Sequence, residues 1–278
     1  MKINKLFLMS GIAMLSFGLA SCSDDDDYTA GPEAGSVEVT FDNEENVVLG
    51  IDETEFTVTL TRTDASSAIT VPIQVVTAPP STKVPESVSF AARETEKDIT
   101  VTVGDGIEPF TKYFLVLAIP EEYAANTYKA EPDTYARYNV TVLREDYKTW
   151  ATATFAPGAF YNPYEIEIQY SELKDLYRLP DLFDVGYPWF FKWDGTSGDD
   201  QTFYIADENG NAIETFFSGL VHPTYGNVTA NILTKEDAGY LGYYEFEEGP
   251  EFVFGCEYTV SAGSFGAKTV EIYDIVKK

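Results

Sequence analysis

Histidine is almost missing from this chain of 278 residues, which holds one, His222. A metal centre built on imidazoles, or a nucleophile activated by histidine, would have to use that single ring in the turn-like run Val221-His222-Pro223-Thr224-Tyr225. Cysteine is nearly as scarce, with only Cys22 and Cys256. Basic residues number 18 against 46 acidic ones, for a net charge of −28. Such a field repels polyphosphates and excludes a nucleic-acid partner. There is no Gly-x-Ser-x-Gly elbow, and no amphipathic helix of useful length is legible in residues 36–143. Without a catalytic constellation, the expectation is a non-catalytic protein with no metal and no cofactor.

What is there begins at the amino terminus. Lys2 and Lys5 precede an apolar run, Leu6 to Leu19, too short to cross a bilayer comfortably, and the run ends in Leu19-Ala20-Ser21-Cys22. The pattern resembles the lipobox of bacterial lipoproteins. It implies a signal peptide over 1–21, cleavage before Cys22, and acylation (diacylglycerol, palmitate) of Cys22, with several acyl chains holding the protein durably in a membrane. Behind the cysteine come Ser23, Asp24, Asp25, Asp26 and Asp27, a self-repelling, solvated tether on physical grounds. The same cluster is similar to the surface-export signal of Bacteroidota lipoproteins. That likeness implies an outer-membrane, lipid-anchored protein facing the extracellular side. With Cys22 lipidated, Cys256 has no disulfide partner and reads as a small buried hydrophobe.

Residues 22–35 carry no periodic apolar pattern and read as a lipidated, acidic spacer. After it, Val37, Val39 and Phe41 alternate with polar residues, as do Phe56, Val58 and Leu60, and Ile99, Val101 and Val103. Each set reads as a strand with one buried face. With Ile69–Val76, Ser87–Phe90, Tyr113–Ile119 and Tyr138–Leu143, they make an immunoglobulin-like β-sandwich of about seven strands over 36–146. Pro72 inside one of them marks an edge or a bulge. Residues 147–278 give a second β-sandwich with strands opening at Trp150, Tyr164, Leu176, Trp189, Thr202, Ala212, Asn227, Glu257 and Thr269. Asp207-Glu208-Asn209-Gly210-Asn211 has the chemistry of a hairpin loop. Thr234 is placed to cap one helical turn by accepting from the Asp237 amide. The fold expected is therefore all-β, with two consecutive sandwiches.

The run Phe56 to Arg62, then Val88-Ser89-Phe90, Asp98 to Val103, Asp105-Gly106-Ile107-Glu108 and Tyr113 to Leu117 resembles a Calx-β domain over residues 36–143. Calcium-binding members of that family implicate Asp52, Glu53, Asp105 and Glu108 here. The expected middle aspartate is absent from Ala78-Pro79-Pro80-Ser81-Thr82-Lys83, and Phe110-Thr111-Lys112 replaces the trailing acidic pair. Calcium wants six to eight oxygen ligands, so the expectation is a spacer or docking module. The second half, with Trp150, Tyr164 to Gln169 and Leu176 to Pro180, is similar to a β domain of surface lipoproteins that accompany starch-utilisation-system-type importers. That likeness implies, as partners, a TonB-dependent barrel with its lipoprotein lid, and nutrient uptake by capture of glycan or peptide ligands.

Aromatics are the remaining signal. Tyr187-Pro188-Trp189-Phe190-Phe191-Lys192-Trp193 sets Trp189, Phe191 and Trp193 on one strand face. Two readings are open. The rings fill the core, or Tyr187, Trp189 and Trp193 form a ligand-binding platform at the mouth of the sandwich. Tyr161, Tyr164, Tyr240, Tyr243 and Tyr244 raise the same question at other loops.

Overall fold

The computed structural model describes residues 37–42, 46–124, 137–183 and 186–278. Cys22 and Asp24, Asp25, Asp26 and Asp27 lie outside them. Among the described residues the protein is all-β, apart from one short helical turn.

The first half supplies β1 (Val39–Phe41), β2 (Asn46–Leu49), β3 (Glu55–Arg62), β4 (Ile69–Pro72), β5 (Gln74–Thr77), β6 (Ser87–Phe90), β7 (Glu96–Thr102), β8 (Tyr113–Ala118) and β9 (Arg137–Arg144). They form sheets in the orders β1-β3-β7 and β2-β9-β8-β5, with β4 paired to β6. Period-two alternation turns Val58, Leu60, Ile99, Val101, Leu115, Leu117, Val140 and Val142 into one shared core. The single strand expected over Ile69–Val76 is broken. Pro72 ends β4, and β5 joins a different sheet beside β8. A residue without an N–H cannot continue the ladder, so the chain changes sheet there. Arg62 is buried at the end of β3, where its guanidinium donates to the carbonyls of Glu94 (2.7 Å), Ser67 (2.8 Å) and Ala91 (2.6 Å).

The second half supplies β10 (Lys148–Ala156), β11 (Tyr164–Ser171), β12 (Leu176–Leu182), β13 (Tyr187–Trp193), β14 (Phe203–Ala206), β15 (Thr215–His222), β16 (Gly226–Ile232), α1 (Lys235–Ala238), β17 (Leu241–Glu245), β18 (Pro250–Val260) and β19 (Gly263–Lys277). All the strands join one antiparallel sheet, β14-β13-β12-β11-β10-β19-β18-β16-β15, with β17 added on β18. The sheet curls like a half-barrel, and one face closes over its own core. Thr234 caps α1 through its hydroxyl, which accepts from the Asp237 amide at 3.3 Å. The Asp207 to Asn211 hairpin loop is present as well, with Gly210 at φ +84°. Strand β17 and the first half of β18 escape the sequence reading, because Tyr243-Tyr244 and Phe252-Val253-Phe254 are continuous apolar runs rather than alternating ones.

Antiparallel order fixes which loops meet. The turns β10–β11, β12–β13, β15–β16 and β18–β19 gather at one end of the sheet. The other end meets the first half through the linker, where Arg178 pairs with Glu145 at 2.6 Å and Ser171 donates to Asp146 at 2.5 Å.

Candidate functional site

Of the three rings proposed as a platform, the structure buries two. Trp189 is 2% exposed and Trp193 7%. The Trp189 indole N–H donates to the Ser218 carbonyl at 3.1 Å, and its ring meets Phe155, Phe183 and Phe216 edge to face. Trp193 donates to the Thr196 carbonyl at 2.6 Å and packs against Trp150, Tyr243 and Phe252. The platform reading of Trp189 and Trp193 is corrected accordingly. They occupy the inward face of β13, and a ring closed off from solvent cannot stack on a ligand. Tyr187 is 47% exposed and rests edge-on against Phe217.

Exposed rings occur instead at the turn-rich end of the sheet. Phe160, Tyr161 and Tyr225 are 44%, 49% and 46% exposed. Phe160 and Tyr225 belong to a continuous strip. Phe160 meets Phe265 at 5.0 Å between centroids, Phe265 meets His222 at 5.9 Å, and His222 stacks on Tyr225 at 4.8 Å with 26° between planes. Tyr161, next in the chain, packs instead on the buried Phe183 at 5.3 Å.

Each turn is built to present its ring. In β10–β11 the buried Tyr258 hydroxyl donates to the Pro157 carbonyl at 3.2 Å. Gly158 follows at φ +70°, where a Cβ would lie 2.3 Å from the Thr269 carbonyl oxygen, so only glycine fits. Phe160 then adopts φ +70°, the centre of a γ-turn closed by the Tyr161 N–H on the Ala159 carbonyl at 2.9 Å. This conformation is strained for a side-chain-bearing residue, and it is held by edge contacts with Tyr258 and Phe265. In β15–β16 the loop 223–225 closes with Gly226 at φ +77°. His222 Nδ1 accepts from the amides of Thr224 (3.1 Å) and Tyr225 (3.2 Å), which leaves Nε2 to carry the proton of the neutral ring. In β18–β19, Ser261 and Ala262 turn the chain, and a groove of about 160 Å³ runs between Tyr225 and Phe265.

Chemically this is a surface of ring faces and edges with hydroxyls at its margin, suited to stacking on apolar ligand faces. Ser264 donates to Glu257 at 2.5 Å, and Ser261 to the Tyr225 carbonyl at 3.2 Å. The one histidine is occupied as a turn former. Cys256 is fully buried, and burial pushes its thiol up to about 12, far from the thiolate range of a nucleophile. Tyr240 is exposed, whereas Tyr243 and Tyr244 are buried and Tyr164 is half-buried. In the first half the Glu53 carboxylate accepts from the Gly50 amide at 2.8 Å. Among the described residues no three His, Cys, Asp or Glu side chains are grouped to hold a metal ion.

Sequence reasoning passed over Phe160, Tyr225 and Phe265. The signal was available: each lies beside hairpin chemistry, namely Pro157-Gly158, Pro223 with Gly226, and Gly263 with Gly266.

No family model matches the chain, and no curated protein matches it. Among solved structures, a protein of unknown function from Bacteroides ovatus is similar at 9% identity and TM-score 0.33, over 85% of this chain and 90% of that one. The apo form of the Calx CBD1 domain is similar at 17% identity and TM-score 0.29, over 40% of this chain and 99% of that one. An auxiliary nutrient binding protein from Bacteroides thetaiotaomicron is similar at 10% identity and TM-score 0.29, over 82% and 89%. With TM-scores this low, the functional reading rests on this chain's own residues.

Proposed function

We propose that this protein is a non-catalytic surface lipoprotein, anchored in the outer membrane through Cys22, that serves a TonB-dependent nutrient importer by capturing glycan or peptide ligands on the aromatic strip. The observation that carries the reading is the run of partly exposed rings from Phe160 through Phe265 and His222 to Tyr225. Rings held by packing and backbone hydrogen bonds lose little freedom when a ligand stacks on them. The direction of the chain supports it. Val39 pairs with Arg62 at the end of β3 away from the linker, and the strip lies at the end of the second sheet away from the linker. A tether entering at Val39 would therefore hold the strip on the side facing away from the membrane.

The test is calorimetric titration of the soluble chain with neutral oligosaccharides and with peptides. Phe160→Ala and Tyr225→Ala are each expected to cost about 2 kcal/mol of binding, as truncated hot-spot aromatics do. Tyr225→Ala should leave the melting temperature close to wild type. If no ligand in the panel binds, or if both variants bind like wild type, the strip is not the site.

One observation favours a second reading, a structural subunit packed against the importer's barrel or lid. Register places Val48, Leu143, Phe114 and Val116 on the outward face of the sheet β2-β9-β8-β5, with Phe114 66% exposed and Val48 54%. These apolar side chains sit on neighbouring strands of one exposed face, and exposed apolar patches mark protein partners. Phe114→Asp would then abolish co-purification with the importer while leaving ligand heats intact.

A further inference from the structure

Beside the linker, on the opposite end of the second sheet from the strip, a cleft of about 480 Å³ opens between the two halves. Its cationic side chains are Lys112, Lys174 and Arg178, set around the rings of Phe110, Tyr147 and Phe190, against two carboxylates in the same lining, Glu145 and Glu208. In a chain with 46 acidic residues against 18 basic ones, such a grouping runs against the composition.

Two of these cations are held in place. The Arg178 guanidinium lies 3.8 Å from the Tyr147 ring centroid, and it donates from Nε to Gln169 at 2.8 Å and from Nη2 to Glu145 at 2.6 Å. Its Nη1 has no acceptor among the described residues. Lys174 Nζ sits 4.3 Å above the Phe110 ring and donates to the Glu208 backbone carbonyl at 2.5 Å, a partner that accepts a hydrogen bond and cancels no charge. Lys112 is exposed and has no ion pair among the described residues. The Arg178 charge is matched by Glu145, while neither lysine has a carboxylate within ion-pair distance among the described residues. Phe110, which floors Lys174 and meets Tyr147 edge-on at 6.0 Å, holds φ +59° with its amide bonded to the Arg144 carbonyl at 2.8 Å. A strained, bulky residue in the wall of a cleft is a feature that binding sites accumulate.

We infer that this cleft is a second binding site, for a small ligand bearing a carboxylate. The carboxylate would face Lys112 and Lys174, with Arg178 Nη1 as a further donor and Phe190 with Pro188 as an apolar wall. The fixed cations give preorganised charge-assisted hydrogen bonds, and the otherwise acidic surface repels anions that do not reach them. Two sources carry this chemistry, a uronic-acid sugar and the carboxyl terminus of a peptide. The inference uses no residue of the strip, so either site can fail alone.

The experiment titrates the soluble chain to millimolar concentration with trigalacturonate, its methyl ester, and a tripeptide with free or amidated carboxyl end. At least one free acid is expected to bind about tenfold or more tightly than its neutral counterpart, with affinity falling as salt rises. Which acid binds separates the sugar from the peptide. Lys112→Glu is expected to weaken binding about tenfold without moving the melting temperature, and Phe160→Ala to leave it unchanged. Absence of heat from both acids overturns the inference. So does equal affinity for acid and neutral forms, or wild-type affinity in Lys112→Glu.

Discussion

The two halves solve the same problem, closing a β core, with different side chains. The first core is mainly aliphatic, with Val, Leu and Ile from separate sheets meeting and, among the described residues, Phe41, Phe90 and Tyr138 as its buried rings. The second is aromatic, with Phe155, Tyr177, Trp189, Phe191, Trp193, Phe203, Phe252 and Tyr258 among its members. Sheets packed face to face stand about 10 Å apart, a gap that aliphatic chains from both sides fill. A single sheet curled on itself has no second layer to supply the other half of the packing. Its inward rings must reach each other across the concavity, as Trp193, Phe203 and Phe191 do around Phe252. Core composition thus follows from the number of layers.

This contrast can be broken experimentally because all three tryptophans, Trp150, Trp189 and Trp193, belong to the second half. Their fluorescence reports that half alone, whereas far-ultraviolet circular dichroism reports both. The largest effect is expected from Trp189→Ala, which opens a cavity at the centre of the aromatic core and should cost roughly 3–5 kcal/mol. In urea its fluorescence midpoint should fall well below the midpoint of the residual dichroism change. A single shared transition, shifted as one, would mean that the linker contacts fuse the cores into one cooperative unit.

The reciprocal change is Arg62→Met in the first half. The methionine fills the space over Phe90 but leaves the carbonyls of Glu94, Ser67 and Ala91 without their donor. A loss of about 2–4 kcal/mol is expected in the dichroism transition, with the fluorescence midpoint unmoved. Movement of both would again argue against independent cores.

The smallest effect concerns acid. Hydrogen bonds from the Thr196 hydroxyl and from the amides of Thr202 and Thr196 lower Asp194 from 3.8 to about 2. A depressed carboxylate contributes its stability above the unfolded value, and that contribution is lost as pH falls through the folded one. The window therefore runs from about pH 4 to about pH 2. Asp194→Asn should be less stable than wild type at neutral pH, and the difference should shrink across that window. A gap that stays constant to pH 2 would remove Asp194 from the account.

Much of the local structure was legible because it depends on neighbours in sequence. Thr234 capping Asp237, the glycine of the Asp207 to Asn211 turn, and the burial of Cys256 each follow from residues a few positions apart or from a side chain's own polarity. The platform was misplaced because alternation says that Trp189 and Trp193 share a face with Phe191, but not whether that face is closed. Closure depends on residues far along the chain: Phe252 of β18 covers Phe191 and Trp193, and Phe216 of β15 covers Trp189.

The sequence by itself determined that the chain is built of strands, where many of them lie and which turns join them, because period-two alternation and glycine or proline chemistry act over a few residues. It also carried the excess of acid and the run Leu19-Ala20-Ser21-Cys22 that resembles a lipobox. Only the tertiary structure decided that the second half is one curled sheet, that Trp189 and Trp193 are interior, and that Phe160, His222, Tyr225 and Phe265 lie in one strip. Those rings are contributed by three hairpins up to about a hundred residues apart, and only the antiparallel strand order brings their turns to the same end.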